Sequence, residues 1–155
     1  MPDVFISCAS IDVKIADSLK NRLVANGLSV FLYSDCLTPG KNWSQEIRTG
    51  LTQSNVVIVL ASQAGANSDF VKQEAGGAIF QNKRVIPIVW DMAPENLPGF
   101  LKEYHALDLR GGNPAVIAAK ADQFINELVK DKQTRQGTVL VLMLAVVTIL
   151  ALGAK

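Results

Sequence analysis

Two stretches of the chain are apolar at almost every position, and they constrain the fold more than any other feature. NVVIVLA at positions 55–61 and RVIPIVW at positions 84–90 are built almost entirely from Val, Ile and Leu. A strand with one face in water alternates apolar and polar residues, whereas a strand covered on both faces does not. Both stretches therefore predict strands of a parallel sheet that is covered on both faces.

The rest of the sequence predicts three more strands and the helices between them. The apolar runs Val4–Cys8 and Ser29–Tyr33 are strand-like, and HALDL at 105–109 is a weak fifth strand. Apolar residues at helical spacing separate these runs, as in Ile15, Leu19 and Leu23, whose helix ends at Gly27. The alternation predicts an α/β fold with a five-stranded parallel sheet, doubly wound in the flavodoxin-like manner.

Ligands of doubly wound sheets bind outside the carboxyl ends of the strands. In this chain that edge is formed by the segments Cys8–Asp12, Ser34–Trp43 and Gln63–Glu74. None of them contains GxGxxG or GxxxxGK[ST], so a Rossmann fingerprint or a Walker phosphate loop is not supported.

Glu74 is a carboxylate among residues that otherwise form the apolar side of a helix. In SDFVKQEAGGAIFQ, positions 68–81, it lies beside a core-facing stripe and past the first helical turn, where the helix dipole no longer favours an acid. One interpretation is a functional carboxylate, and the other is a partly exposed acid paired with Lys72 or Lys83. Gly76 and Gly77 each cost roughly 1 kcal/mol inside a helix, which indicates close approach by a ligand or another chain.

The C-terminal tail is the most apolar part of the chain. Gly137–Ala154 holds 18 residues without a charge, about 27 Å as a helix against a hydrocarbon core of about 30 Å. The run predicts a single-pass transmembrane helix with the domain on the cytoplasmic side, because Lys130, Lys132 and Arg135 precede it. A hydrophobic helix buried in the domain or in an oligomer is the alternative. The predicted organisation is a domain over 1–132, a short linker over 133–136 and a membrane helix over 137–154.

Charge and cysteine content exclude several classes of function. Without Lys155, 14 basic and 14 acidic residues remain, and this balance argues against nucleic acid as a partner. Cys8 and Cys36 are the only cysteines, and no CxxC or Cys/His cluster indicates a metal site. His105, the only histidine, is interpreted as structural.

Five motifs in order resemble the Toll/interleukin-1 receptor (TIR) domain, most closely its bacterial members. DVFISCASID is similar to the family's opening strand, SVFLYSD to its second strand and LTPGKNWSQEI to its long loop. SNVVIVLAS resembles the third strand, and SDFVKQEAGG resembles a helix motif in which an aromatic residue precedes a glutamate by four positions. The resemblance covers about residues 3–130 and implies the TIR fold.

The resemblance implies two activities. Many TIR domains cleave NAD at the bond between nicotinamide and ribose, giving ADP-ribose or cyclic isomers, often in defence against infection. Others are non-catalytic adaptors that assemble through TIR–TIR contacts. The helix glutamate distinguishes the groups, and here it is Glu74, so we expect an NAD glycohydrolase or cyclase that self-assembly switches on, with NAD as substrate and no cofactor. A membrane-perturbing effector, with the TIR domain as oligomeriser, is a further alternative.

The resemblance also assigns residues to the site. Glu74 is the expected catalytic residue, because one carboxylate suffices when nicotinamide leaves as a neutral molecule. Ser7 and Asp35 are expected at the ribose, and Phe70 beside Glu74 on the same helix face. Cys8, at a position often occupied by tyrosine or histidine, and Trp43 complete the expected substrate pocket. The expected self-assembly loop is Thr38, Pro39, Gly40 and Lys41.

Overall fold

The computed structural model describes residues 1–32 and 43–153, and side chains throughout these ranges except at positions 43, 44, 70, 80, 141, 142 and 144–153. The strands are β1 (Val4–Ser7), β2 (Val30–Leu32), β3 (Val56–Leu60), β4 (Arg84–Val89) and β5 (Leu107–Asp108). The helices are α1 (Val13–Ala25), α2 (Trp43–Gln53), α3 (Gln63–Asn67), α4 (Asp69–Phe80) and α5 (Pro114–Gly153). Short 3₁₀ turns lie at Ser10–Asp12 and Pro94–Asn96.

The predicted parallel sheet is confirmed. The five strands pair in the order β2-β1-β3-β4-β5, and every described pairing is parallel. All five residues of β3 are buried, as expected for a central strand covered on both faces. The chain turns from β1 outward to β2 and then back past β1 to β3, so the strand order reverses beside β1. The carboxyl end of β1 is therefore where a ligand is expected.

Two groups of helices cover the sheet. On the face that we call the α1/α5 face, Ile6 and Cys8 pack with Leu23 of α1 and with Phe124 and Ile125 of α5. On the opposite face, the α2/α4 face, Phe5 packs with Leu51 of α2 and with Val71, Ala75 and Ala78 of α4. Alternate residues of β1 thus enter different cores, as the pleat of a strand requires.

The prediction of a membrane-spanning helix is wrong. The predicted C-terminal anchor, the membrane partner and the cytoplasmic orientation depended on that helix and fall with it. Among the described residues, no helix combines the length and the apolar character needed to cross a bilayer. The apolar tail does not start a helix of its own at Gly137, because α5 runs without interruption from Pro114 to Gly153. Its described residues include the charged side chains of Asp131, Lys132 and Arg135, which cost free energy in hydrocarbon. Residues 133–136, predicted as a linker, are helical.

Candidate functional site

Glu74 lies in α4, on the face of the sheet that carries Ser7. Ser68 begins α4 as its N-cap, and its hydroxyl accepts a hydrogen bond from the Val71 backbone N–H. Val71, Ala75 and Ala78 then pack against the sheet, which fixes the rotation of the helix. Glu74 precedes Ala75 by one position and is left half-buried at the border of this core.

The Glu74 carboxylate is not paired with either lysine that the sequence offers. Lys72 forms an ion pair with Asp69, with 3.9 Å between Nζ and Oδ1. Lys83 donates hydrogen bonds to the backbone carbonyls of Thr52 and Ser54, at 2.7 and 2.6 Å. Oε2 of Glu74 is buried and has no hydrogen-bond partner among the described residues. The alternative of a solvated surface ion pair therefore does not describe Glu74.

Burial also changes the acidity of Glu74. Removal from water raises the pKa of its carboxyl to about 7, and the positive charge of Arg48 acts in the opposite direction without restoring the ordinary value. A carboxyl with this pKa exchanges its proton near neutral pH. Acids with such values are frequent at functional sites, where burial is maintained for the sake of chemistry.

Ser7 provides a second unpartnered oxygen at the carboxyl end of β1. Its side chain is fully buried, and its Oγ has no hydrogen-bond partner among the described residues. Ser7 lies two residues after Phe5 along the strand, so it points toward the same α2/α4 face. Buried polar atoms are nearly always hydrogen-bonded in proteins. Two unpartnered oxygens on one face of the sheet, at the edge where ligands bind, indicate a site for a polar ligand.

Cys8 is separated from this site by the sheet. Its side chain is buried on the α1/α5 face with Ala16 and Leu23, opposite to the face of Ser7. Burial, reinforced by the negative charges of Asp12 and Asp17, raises the pKa of the Cys8 thiol to about 11. The thiol is therefore protonated at neutral pH and does not act as a nucleophile. Its expected role in the substrate pocket has no contact in the described structure that supports it.

Several predicted site residues lie outside what the structure describes. These are Asp35 and the expected self-assembly loop of Thr38, Pro39, Gly40 and Lys41. Trp43 begins α2 and Phe70 lies in the first turn of α4, but their side chains are outside the described residues. Their roles stay predictions.

The two glycines of α4 have different surroundings. A Cβ at Gly77 would lie 3.1 Å from Cδ2 of Leu51, so Gly77 allows α2 and α4 to pack closely. A Cβ at Gly76 would meet no heavy atom of the described residues within 4 Å, and Gly76 is exposed. The close approach expected at this pair comes from a neighbouring helix at Gly77, and nothing described approaches Gly76.

Sequence reasoning missed a buried polar group that joins two loops at the same edge of the sheet. The hydroxyl of Ser62, directly after β3, donates to Oδ2 of Asp12 and accepts from the Gly65 backbone N–H at 2.9 Å. Asp12 and Ser62 are both buried. The signal was a serine after a buried strand followed three residues later by a glycine, but its partner lies 50 positions away in the sequence. This group holds α3, and through it the start of α4, against the end of β1.

A groove of about 530 Å³ lies between β4, β5 and α5, away from Glu74, and is lined in part by His105, Asp108 and Lys120. Three charged residues of its lining, Arg84, Asp108 and Lys120, already have partners in the protein. Lys120 donates to the Asp108 backbone carbonyl at 3.0 Å, the Asp108 carboxylate pairs with Arg110, and Arg84 pairs with Asp131. These three groups differ from the Glu74 carboxylate, whose buried oxygen has no partner among the described residues.

Comparison with solved structures supports the architecture. The TIR domain of the Toll-related receptor TRR-2 from Hydra magnipapillata superimposes with a TM-score of 0.62 at 20% identity, covering 88% of this chain and 98% of the other. At this identity the likeness shows the fold alone, and the predicted TIR fold is confirmed.

Two curated relatives are similar in sequence. A probable 2′ cyclic ADP-D-ribose synthase from Brachypodium distachyon, BdTIR, is 28% identical over 97 residues, which are 61% of this chain and 43% of that protein. A probable 2′ cyclic ADP-D-ribose synthase from Methanobrevibacter olleyae, TcpO, is 28% identical over 102 residues, which are 63% of this chain and 30% of that protein. The chain spans less than half the length of either relative. The family model for the TIR domain matches residues 4–129, and the chain belongs to the TIR-domain family.

Proposed function

We propose that this TIR domain cleaves NAD at the bond between nicotinamide and ribose, with Glu74 as the catalytic carboxylate. The observation that carries the proposal is the half-buried Glu74 carboxylate, which has an unpartnered buried oxygen on the same face of the sheet as the unpartnered Ser7 hydroxyl. The names of the two relatives, both probable 2′ cyclic ADP-D-ribose synthases, support a substrate of this class.

The chemistry suits a single carboxylate. In NAD the pyridinium nitrogen is already positive, so when the bond to C1′ breaks the electron pair leaves with nicotinamide, which becomes neutral without receiving a proton. Positive charge then develops on the ribose, where an anionic carboxylate stabilises it electrostatically. We propose that the Ser7 hydroxyl binds a polar group of the ribose, as the family resemblance implies.

The fate of the ribose cation decides between hydrolase and cyclase. Attack by water at C1′ gives ADP-ribose, and the proton of that water goes to Glu74 or to solvent. Attack by a hydroxyl of the same substrate gives a cyclic isomer and releases the same proton. We propose cyclisation as one product route because both relatives carry a name of that type. Loss of cellular NAD is the means by which a role in defence would act.

Self-association is part of the same proposal. The family resemblance implies that TIR domains contact each other through the loop that here holds Pro39 and Gly40, and that assembly completes the site. We therefore expect cleavage per molecule to increase with protein concentration. A TIR domain that assembles without cleaving NAD would instead be a non-catalytic adaptor.

The test compares the wild type with Glu74→Gln in NAD cleavage by purified protein over a range of protein concentrations. Released nicotinamide and the ribose products are separated by chromatography. We expect Glu74→Gln to lower the rate by about 100- to 1000-fold, the loss typical of removing a charge that stabilises a transition state. Glu103→Gln makes the same chemical change at an exposed glutamate and should leave the rate unchanged.

Two results would overturn the proposal in different ways. If the wild-type protein self-associates but releases no nicotinamide from NAD, the proposed cleavage of NAD is wrong. Cleavage that persists in a folded Glu74→Gln variant would show that another group does the chemistry.

A further inference from the structure

Helices α2 and α4 lie side by side, and one contact fixes their register. Gly77 of α4 faces Leu51 of α2, with only 3.1 Å between a Cβ built on the glycine and Cδ2 of the leucine. Each helix leads from one parallel strand to the next, so both run in the same direction. Moving back by three residues, about one turn, on each helix brings Arg48 and Glu74 to the same level. That level is nearer the N-terminal ends of the helices and so nearer the carboxyl edge of the sheet.

The Arg48 side chain has no structural role among the described residues. Its side chain is exposed, and among the described residues it makes no hydrogen bond or ion pair. It is also not the counter-ion of Glu74, because Oε2 of that carboxylate is unpartnered and burial outweighs the charge of Arg48. A cation therefore stands beside the candidate site, close enough for Glu74 to sense its charge but not bonded to it.

A guanidinium in this place matches one part of the proposed substrate. The diphosphate of a dinucleotide is joined to C5′ of the same ribose whose C1′ would react at Glu74. Neighbouring helices in contact lie about 8–10 Å apart, so an extended arginine on α2 reaches a phosphate when the ribose is held at α4. Arginine binds phosphate oxygens through two parallel N–H donors and is the residue best suited to this ligand.

We propose that Arg48 binds the diphosphate of the dinucleotide substrate and so sets the preference of the site for dinucleotides over nucleosides. The inference rests on the proposed NAD cleavage at Glu74. It adds a substrate-binding residue on α2 to the site proposed at Ser7 of β1 and Glu74 of α4.

The first test compares two substrates that differ in the diphosphate, NAD and nicotinamide riboside. Arg48→Met removes the charge and keeps an apolar stem. We expect kcat/KM for NAD to fall by about 10- to 100-fold, mainly through KM, while nicotinamide riboside shows only the smaller loss that follows when Glu74 ionises less readily without the Arg48 charge. Arg48→Lys should recover part of the loss, because it restores the charge without the two parallel donors. Lys72→Met removes a nearby cation from α4 and should change neither substrate.

The second test measures binding without turnover. ADP-ribose is titrated calorimetrically into Glu74→Gln and into the double variant with Arg48→Met. We expect the double variant to bind ADP-ribose about 10- to 100-fold more weakly and to lose most of the salt dependence of binding. This measurement also decides the matter if the wild type does not cleave nicotinamide riboside.

The outcomes separate this inference from the proposed function. Equal losses with both substrates, together with a shifted pH profile, would mean that Arg48 acts only through the ionisation of Glu74, and the diphosphate assignment would be wrong. Unchanged ADP-ribose affinity in the double variant would overturn it as well. If the wild type cleaves neither substrate, yet its binding of ADP-ribose depends on Arg48, the proposed catalysis fails and the binding assignment stands.

Discussion

At the scale of single residues, the protonation of Glu74 makes the proposed activity dependent on pH. Burial raises the pKa of Glu74 to about 7, and only the ionised carboxylate stabilises a developing positive charge. We expect kcat/KM for NAD to rise about tenfold between pH 6 and pH 8, since this ratio reports the free enzyme. Bound NAD brings its own positive pyridinium and lowers the pKa again, so kcat should vary less with pH. Initial rates at low and saturating NAD measure the two profiles.

Stability provides an independent check on the same pKa. The folded-state pKa lies above the unfolded value, so between about pH 4.5 and 7 the folded state retains a proton that the unfolded state has lost. The free energy of unfolding should therefore decrease as pH rises through this range. Glu74→Gln should remove that decrease and stabilise the protein at pH 8 by on the order of 1 kcal/mol. If the wild type shows this dependence of stability on pH but its kcat/KM for NAD has no inflection near pH 7, ionisation of Glu74 is not required for catalysis.

The sequence predicted a functional role for Glu74, which stays a prediction, because a carboxylate beside an apolar helix stripe stands out in the chain. It did not predict Arg48, which is an ordinary exposed residue of an amphipathic helix when read along the sequence. Its place beside Glu74 depends on the register between α2 and α4, which the Leu51 and Gly77 contact sets. Cys8 shows the opposite case, because its neighbour Ser7 suggested a common pocket whereas the pleat of β1 sends the two side chains to opposite faces.

At the scale of elements, predictions from the sequence succeeded where a pattern is long and failed where tertiary contacts decide. The strands β3 and β4 are buried almost throughout, so their composition alone identified them. The five-residue α3 is too short to show a helical period and depends on its cap, the Ser62 hydroxyl bound to the Gly65 N–H. The strand β5 is limited to Leu107 and Asp108, the two residues that pair with β4.

The contrast between Gly76 and Gly77 gives a prediction for α4. Alanine at the exposed Gly76 should raise the free energy of unfolding by roughly 0.5–1 kcal/mol, because it gains helix propensity and meets no described atom within 4 Å. Alanine at Gly77 gains the same propensity but pushes Leu51, so it should be less stable than the Gly76 variant. Valine at Gly77 should destabilise by about 1–3 kcal/mol. Urea titrations of the three variants measure these differences.

Activity assays on the same variants separate packing from function. Gly76→Ala could be more stable than the wild type and yet lose NAD cleavage and self-association to the same extent. That result would mean that a second chain approaches α4 at Gly76. If Gly77→Ala is as stable as Gly76→Ala, the contact between Leu51 and Gly77 does not limit the packing of α2 on α4.

At the scale of the whole molecule, the two ends of the folded domain meet at one carboxylate. Lys132 lies in α5, four residues after the buried Leu128. Its Nζ donates to Oδ2 of Asp3 at 2.9 Å and to the Gly27 backbone carbonyl at 2.8 Å. The same Asp3 oxygen accepts from the backbone N–H and the hydroxyl of Ser29, both at 2.8 Å. Residues 133–140 are all exposed. We propose that the folded domain ends near Lys132, since beyond it the described part of α5 contributes no buried side chain.

This contact predicts a stability that depends on both charge and pH. Burial alone raises the pKa of Asp3, but the hydrogen bonds from Ser29 and Lys132 lower it below its ordinary value overall. The contribution is therefore complete above the unfolded-state pKa and is lost as pH falls through the folded-state pKa. Lys132→Met should lower the free energy of unfolding by about 1–2 kcal/mol at pH 7, and by much less near pH 2, because protonated Asp3 no longer attracts the ammonium. Lys130→Met removes an exposed charge two positions away and should cost almost nothing. Urea titrations at both pH values measure these costs. If Lys132→Met costs the same free energy of unfolding at pH 7 and pH 2, the pairing with Asp3 does not hold the end of the domain in place. The aliphatic stem of Lys132 or its hydrogen bond to the Gly27 carbonyl would then do so.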